Sequence, residues 1–473
     1  MGFVYYGTLL YWLFAALVFY TWLALLGYLI TILVLAGFLS GVSYVAHRLR
    51  TAHRLSFWAT FPVLWTAAEW LRGHLGDLAF PWLGLGHALT GFPSLVGFAD
   101  VVGARGVTFW LVAVNALIAE AWLLRRRRAW RPLAGALALV LTLPVAYSLY
   151  RWYTLRTRPG AEVLVVQPNI PEDLKLNREQ AIDSSRVALE RLTADALSGA
   201  PGTQLVVWPE AALPDFIQFS PDWGAWVSRL ARRDQVAFIF GALDLKQFPE
   251  GDYEYYNAAI FVSPAGRAAG IYRKHYLVPV VERVPYVPLH WIREIRRRGA
   301  RGWNLPLLGD VGAFLQYFGG FGRGEAEPVF PVNDAGVGVL ICYESIFPGL
   351  ARAYRRHGAN LLVNITNDAW FGRARPWWSR TSALYQHPAH LVMRAIENRI
   401  GVARAANTGI SLFVDPRGRI HEATPLFEPA TRRLTVPTTD VLTLYARYGD
   451  VVGWASAGGA LALVLASAWR RQG

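Results

Sequence analysis

The chain has one cysteine, Cys342, at the end of an apolar run in GVLICYESIFPGL, residues 338–350. Two more reactive side chains stand in related places: Glu210 ends the apolar run in QLVVWPEAALP, and Lys274 in YRKHYLVP lies between aromatic and apolar neighbours. Taken singly, each has an ordinary explanation. A lone cysteine in a strand is usually a small buried hydrophobe. A carboxylate after a strand is usually a surface group, and a lysine among aromatic residues usually extends its amine to water. Together they can do chemistry. A thiol at a strand-to-helix turn is made more acidic by the helix N-terminus and nearby cations. A glutamate can take the thiol proton and later return it. The sulfur can attack a carbonyl and hold the acyl group as a thioester, while a lysine and a backbone N–H stabilise the oxyanion.

Such a trio needs an α/β scaffold, because ligands bind where several strands end together. From Pro159-Gly160 onward the pattern supplies one. AEVLVVQPNI (161–170), QLVVWPEAALP (204–214), VAFIFGALD (236–244), AAIFVSP, GVGVLICYE, ANLLVNITND and SLFVDPRG read as buried strands ending in turn residues. Helical spacing covers 178–198, the region near 221–234, and 348–357, just after the cysteine. The alternation predicts strands covered by helices.

The flanking regions are of another kind. Hydrophobic residues make up 54% of the chain and charged ones 17%, with 20 tryptophans and a formal charge of +14. Soluble domains carry about 25% charged residues. With no zinc-ligand spacing or RNA-binding signature, the basic excess points to anionic lipid rather than nucleic acid. One cysteine excludes an internal disulfide. Residues 1–46 have no charged side chain. A spanning helix needs about 20 apolar residues, so this stretch is expected to hold two spans turning near Tyr20–Thr21. Further spans are expected over 57–71, 107–124, 133–150 and 451–469, six in all. Arginine clusters at 48–54, 125–128 and 470–471 place those ends in the cytoplasm, which puts residues 151–450 on the opposite side. The expected organisation is a transmembrane bundle over 1–158, an α/β catalytic domain over 159–442 and a terminal membrane helix over 443–473. The stretch 287–324 holds Trp291, Trp303, Phe314, Tyr317, Phe318 and Phe321 among arginines and glycines, which suits an arm dipping into the headgroup layer.

WPE, KxxLVP and CYE, in that order, resemble the Glu-Lys-Cys triad of the nitrilase superfamily. AEWLRGHLGDLAFPWLGLGHAL (68–89), VVWPEAALPD (206–215), YRKHYLVPVVERVPYVP (272–288), ICYESI (341–346), NITNDAWFG (364–372), NTGISLFVDPRG (407–418) and LYARYGD (444–450) narrow the resemblance to the apolipoprotein N-acyltransferase family. The resemblance implies an α-β-β-α nitrilase-like sandwich on a transmembrane bundle in the bacterial inner membrane, with the catalytic domain in the periplasm. It implies Cys342 as nucleophile, Glu210 as general base and Lys274 as oxyanion stabiliser. Glu282, Tyr343 and Glu344 match supporting residues, and Asn257, Trp370 and Phe371 match substrate-binding positions; core packing is the competing explanation for the last two. The implied reaction is ping-pong, with no metal or cofactor. An sn-1 acyl chain passes from a phospholipid, phosphatidylethanolamine, to the cysteine and then to the N-terminal amine of a diacylglyceryl-cysteine apolipoprotein. The protein is expected to act as a monomer. The chain departs from the family in two places. The family usually has eight spans, and the opening GFVYYGTLLYWLF resembles its third. Leu176 stands in IPEDLKLN where some members carry tryptophan. Two rivals accompany this reading: a membrane-tethered nitrilase-type amidase that delivers the acyl group to water, and a non-catalytic scaffold.

Overall fold

Alternate residues of the strands 161–167 and 205–208 are buried on opposite faces, which requires a layer on each side of the sheet. The computed structural model describes residues 1–18, 24–125, 130–171, 178–199, 202–249, 253–297, 304–305, 309–310 and 320–468. In chain order the strands are β1 (Arg158–Gln167), β2 (Leu205–Val207), β3 (Ala237–Gln247), β4 (Tyr253–Val262), β5 (Ala268–Arg273), β6 (Asn304–Leu305), β7 (Gly309–Asp310), β8 (Phe330–Val332), β9 (Ala335–Ile341), β10 (Leu361–Thr366), β11 (Gly401–Ala406), β12 (Leu412–Val414), β13 (Ile420–His421) and β14 (Ala430–Thr438).

Two six-stranded sheets form, in the orders β14-β1-β2-β3-β4-β5 and β13-β12-β11-β10-β9-β8, while β6 and β7 pair separately. The central strands β1, β2 and β3 run parallel, as do β9, β10 and β11. Val163, Val165, Val207 and Ile239 pack against Val337, Val339, Val363 and Ile365 between the sheets. On the other face of the first sheet, Leu164, Val166, Val206, Trp208 and Phe238 pack with Leu189, Trp223, Trp226 and Leu230. These last come from the helices Arg178–Ser198 and Pro221–Asp234. The expected α-β-β-α sandwich is what forms, and both helices fall where the spacing put them. β2 is shorter than the 204–214 run. Trp208 N–H still reaches Ile239 O at 2.9 Å, but Pro209 has no N–H to extend the ladder, and Ala211 turns at φ +52°.

Among the described residues four helices are long and apolar enough to cross a membrane, where six spans were expected: Ala24–His53, Ala99–Leu124, Trp130–Thr154 and Val451–Ala468. The helix Phe57–Arg72 has 16 residues, short of the roughly 20 a straight span needs. The first expected span is two short helices, Gly2–Leu9 and Tyr11–Leu17, broken at Leu10. The expected turn at Tyr20–Thr21, most of the second and third arginine clusters, Leu176, Trp303, Phe314, Tyr317 and Phe318 lie outside the described residues. Part of the apolar surface of residues 2–17 packs inside the protein. Tyr6, Leu10 and Trp12 are buried with Ala79, Trp82, Tyr343, Ile346 and Phe347. The N-terminal segment therefore sits against the residues that follow Cys342.

An ion pair joins the same two parts: Arg399, buried at the end of the helix Ala383–Asn398, reaches Asp100 at 2.9 Å. Arg105 pairs with Asp450, which ties the helix Ala99–Leu124 to the start of the last membrane helix.

Candidate active site

Glu210 is the third residue after β2, Lys274 directly follows β5, and Cys342 directly follows β9. The first two belong to one sheet and the third to the other, so stacking the sheets brings their strand ends together. Gly241 in β3 makes this possible: a side chain there would lie 2.6 Å from the Glu210 Cα.

Lys274 Nζ donates to Glu282 Oε1 at 2.9 Å and to Glu210 Oε1 at 3.3 Å. Asn257, from β4, donates its side-chain amide to Glu210 at 2.7 Å and Glu282 at 2.9 Å. This amide holds the two carboxylates apart around the lysine; it sits inside the charged cluster. The Asn367 N–H donates to Glu210 Oε2 at 2.9 Å, and the Val278 N–H to Glu282 Oε2 at 2.8 Å. All of these side chains are buried, Lys274 to 1% exposure.

Burial pushes the Glu210 carboxyl up, but Lys274, Asn257, the Asn367 N–H and the Cys342 thiol together hold it below the ordinary carboxylate range. Lys274 is held above its ordinary value: burial opposes the charge, and Glu282 and Glu210 outweigh it. Burial, then the Glu210 charge, push the Cys342 thiol far up against the pull of Lys274. The resting site is a neutral thiol beside an ionised carboxylate. That arrangement suits proton removal during attack rather than a standing thiolate.

Cys342 opens a 3-10 helix, Cys342–Ile346, and has φ +50°. A non-glycine residue in this region is strained and held by its surroundings. Glu344 is one of the groups that hold it. Its Oε1 accepts from the Tyr272 hydroxyl at 2.7 Å, the His275 N–H at 2.6 Å and the Tyr276 N–H at 3.2 Å, and its Oε2 accepts from the Ile341 N–H at 2.7 Å. Burial pushes this carboxyl up to about 7 against those donors. Glu344→Gln places an amide NH2 where every neighbour donates. It is expected to destabilise the protein by about 2–4 kcal/mol and to lower kcat more than KM. Tryptophan-fluorescence melting in detergent and steady-state kinetics check both.

Tyr343 points toward the membrane part, its hydroxyl donating to Ala79 O at 2.9 Å. Phe371 sits with its ring centroid 5.1 Å from Trp12, 5.8 Å from Trp82 and 5.3 Å from His387. It joins the N-terminal segment to the catalytic part, and Trp370 beside it is half-buried.

Sequence reasoning missed a second buried constellation. His387 Nε2 lies 3.0 Å from the Cys342 carbonyl oxygen, and its Nδ1 lies 2.9 Å from Asp368 Oδ1. Asp368 also accepts from Thr366 at 2.9 Å and from Arg404 at 2.5 Å. His387, Asp368 and Arg404 are fully buried. The available signal was an arginine inside the otherwise small and apolar GVARAA, and histidines on the apolar face of QHPAHLVMRAI.

Two stacked sheets with a glutamate, a lysine and a cysteine converging at their strand ends define the nitrilase-type fold, and the family described as "Carbon-nitrogen hydrolase" matches residues 163–440. Among solved structures, an amidase from Nesterenkonia sp. AN1 is 20% identical, covering 61% of this chain and 96% of its own, with a TM-score of 0.37. A second family, "Apolipoprotein N-acyltransferase N-terminal domain", matches residues 1–117. Proteins named apolipoprotein N-acyltransferase are similar along most of the chain. The one from Geobacter metallireducens is 34% identical over all of this chain and 86% of its own length. That from Chlorobaculum tepidum is 31% identical over 87% and 77%, and that from Bradyrhizobium diazoefficiens 32% over 82% and 69%. The chain belongs to the apolipoprotein N-acyltransferase family. It is a membrane-associated acyltransferase built on a nitrilase-type fold.

Proposed function

We propose that the protein moves an acyl chain from a glycerophospholipid to Cys342 and from there to the N-terminal amine of a diacylglyceryl-cysteine apolipoprotein. The observation that carries this reading is Cys342 on a strained turn beside the Glu210–Lys274 pair, under a roof of N-terminal residues. Glu210 takes the Sγ proton as sulfur bonds to the ester carbonyl carbon. The oxyanion is met by Lys274 and the Tyr343 N–H, a first-turn donor without a partner in its own helix. The tetrahedral species collapses, the carbon–oxygen bond breaks, and Glu210 returns the proton to the glycerol oxygen. In the second half the α-amine attacks the thioester. Glu210 accepts a nitrogen proton, the carbon–sulfur bond breaks, and the thiol is restored. The amine must be neutral to attack, and its ordinary pKa of about 7.7–8.0 leaves a usable fraction at neutral pH.

The donor in this reading is phosphatidylethanolamine, cleaved at sn-1, and the protein works as a monomer in the inner membrane with residues 159–442 in the periplasm. Glu282, Tyr343, Glu344 and Asn257 support the triad, and Trp370 and Phe371 flank the lipid path. Apolar surroundings exclude water between the half-reactions.

The test is intact mass of the detergent-purified protein after incubation with phosphatidylethanolamine. A hydroxylamine-labile acyl adduct is expected, discharged by a diacylglyceryl-cysteine peptide into a triacylated product. An adduct that only water removes would make the protein a hydrolase. No adduct with any phospholipid would overturn the reading.

A further inference from the structure

The Cys342 carbonyl and the Tyr343 N–H belong to one planar trans peptide and point in opposite directions. Whatever holds the carbonyl therefore aims the N–H. A carbonyl oxygen only accepts, so His387 Nε2 carries a proton and donates it to Cys342 O across 3.0 Å. The ring itself is clamped. Its Nδ1 faces Asp368 Oδ1 at 2.9 Å and Arg404 Nη2 at 3.2 Å. Asp368 is held in turn by Thr366 and Arg404, and Arg404 by Asn364. Trp82 stacks on one side of the ring with centroids 5.5 Å apart, and Phe371 meets it edge-on. Buried polar groups held on every side are rigid. Thr366 also meets the Cys342 thiol directly, whereas the His387 ring meets Cys342 at its carbonyl.

We propose that His387 is a positioning residue: it holds the Cys342–Tyr343 peptide so that the Tyr343 N–H faces the oxyanion of the acyl-transfer step. The Asp368–Arg404 pair sets the ring, the ring sets the carbonyl, and the carbonyl sets the oxyanion donor. The inference rests on Cys342 being the acyl-carrying nucleophile. It also explains why a left-handed residue can sit at the nucleophile: the carbonyl that this turn swings outward finds a fixed donor.

Two variants separate this role from simple core packing. In His387→Gln the side-chain amide reaches the Nε2 position and can still donate to Cys342 O. In His387→Asn the amide reaches only the Nδ1 position and keeps the Asp368 contact. Loss of one oxyanion donor costs about 10²–10³ in kcat. His387→Asn is expected to acylate from phosphatidylethanolamine about 100-fold more slowly, with the lipid KM unchanged within about threefold. Alkylation of Cys342 by iodoacetamide passes through no oxyanion, so its rate should stay within about threefold of wild type. His387→Gln should stay within about tenfold of wild type in acylation. Equal acylation losses in both variants, or wild-type acylation by His387→Asn, would overturn the proposal. If His387→Asn does not fold, a folded His387→Gln decides alone: a loss near 100-fold overturns it and a loss under tenfold supports it. A wild type that forms no adduct at Cys342 would instead remove the reading on which the inference rests.

Discussion

Cys342→Ala is expected to lower N-acyl transfer by on the order of 10⁵–10⁶-fold, the scale on which losing a covalent nucleophile acts, and to leave the fold nearly intact. The two effects separate because of where the sulfur sits. The residue is 8% exposed at the edge of the core, so removing one atom from a site that must admit substrate costs little packing. Its backbone is held from outside, by Glu344 at the Ile341 N–H and by His387 at the carbonyl, and these contacts survive the change. Removing the thiol also takes a donor from Glu210, leaving that carboxylate on Asn257, Asn367 and Lys274. The measurement is transfer of acyl chain to a diacylglyceryl-cysteine peptide, run beside a tryptophan-fluorescence melt in detergent. A melting midpoint within a few degrees of wild type, together with activity at background, is the expected pair. Residual transfer above about 1% of wild type would mean the acyl group travels without the cysteine.

The sandwich was legible in the sequence because a short apolar, β-branched run closed by turn residues is a local signal. The strands around Val163, Ile239, Val339 and Val363 each announce themselves in a few residues. Glu210 and Cys342 drew notice because each ends an apolar run, and Lys274 because it stands among aromatic and apolar residues; the fold brings Lys274 to Glu210 at 3.3 Å. What escaped was long-range. His387 meets Cys342 across 45 positions and Arg404 meets Asp368 across 36, and a buried arginine in a strand looks like a break in the pattern until its partner is known. The break of the first expected span into Gly2–Leu9 and Tyr11–Leu17 was also not legible. Residues 2–17 are apolar enough to enter lipid, yet Tyr6, Leu10 and Trp12 use that surface to cover Tyr343, Ile346 and Phe347. Hydropathy counts apolar side chains and cannot tell a lipid-facing one from one that roofs a catalytic site.

Lys274→Met is expected to cost both activity and stability, to weaken the loss of stability in acid and to move the acid limb of activity to higher pH. Among the described residues the lysine is the cation held between Glu210 and Glu282, at 3.3 and 2.9 Å. Deleting one partner of a buried ion pair costs about 3–5 kcal/mol, because the charge left behind has neither water nor a counter-ion. Losing an oxyanion donor costs a further 10²–10³ or so in kcat. The pH response follows from Glu210. In the wild type its carboxyl lies below the ordinary 4.5. Its ionisation therefore stabilises the fold above about pH 4.5, and that contribution is lost as pH falls through the lower native value. Without Lys274 the largest lowering influence is gone and burial still pushes the carboxyl up, so its native value rises. The stability that its ionisation contributes above about pH 4.5 shrinks, and the loss on acidification is smaller than in the wild type. Activity moves the other way, because the base is needed ionised: the acid limb of kcat shifts to higher pH. Melting midpoints from pH 4 to 8, with acylation rates over the same range, test both limbs. Glu282→Gln added to Lys274→Met should return part of the stability, since it removes one of the two stranded carboxylates, and none of the rate, since it restores no cation. If the single variant melted like wild type at every pH, the lysine would not be the charge that holds this site together.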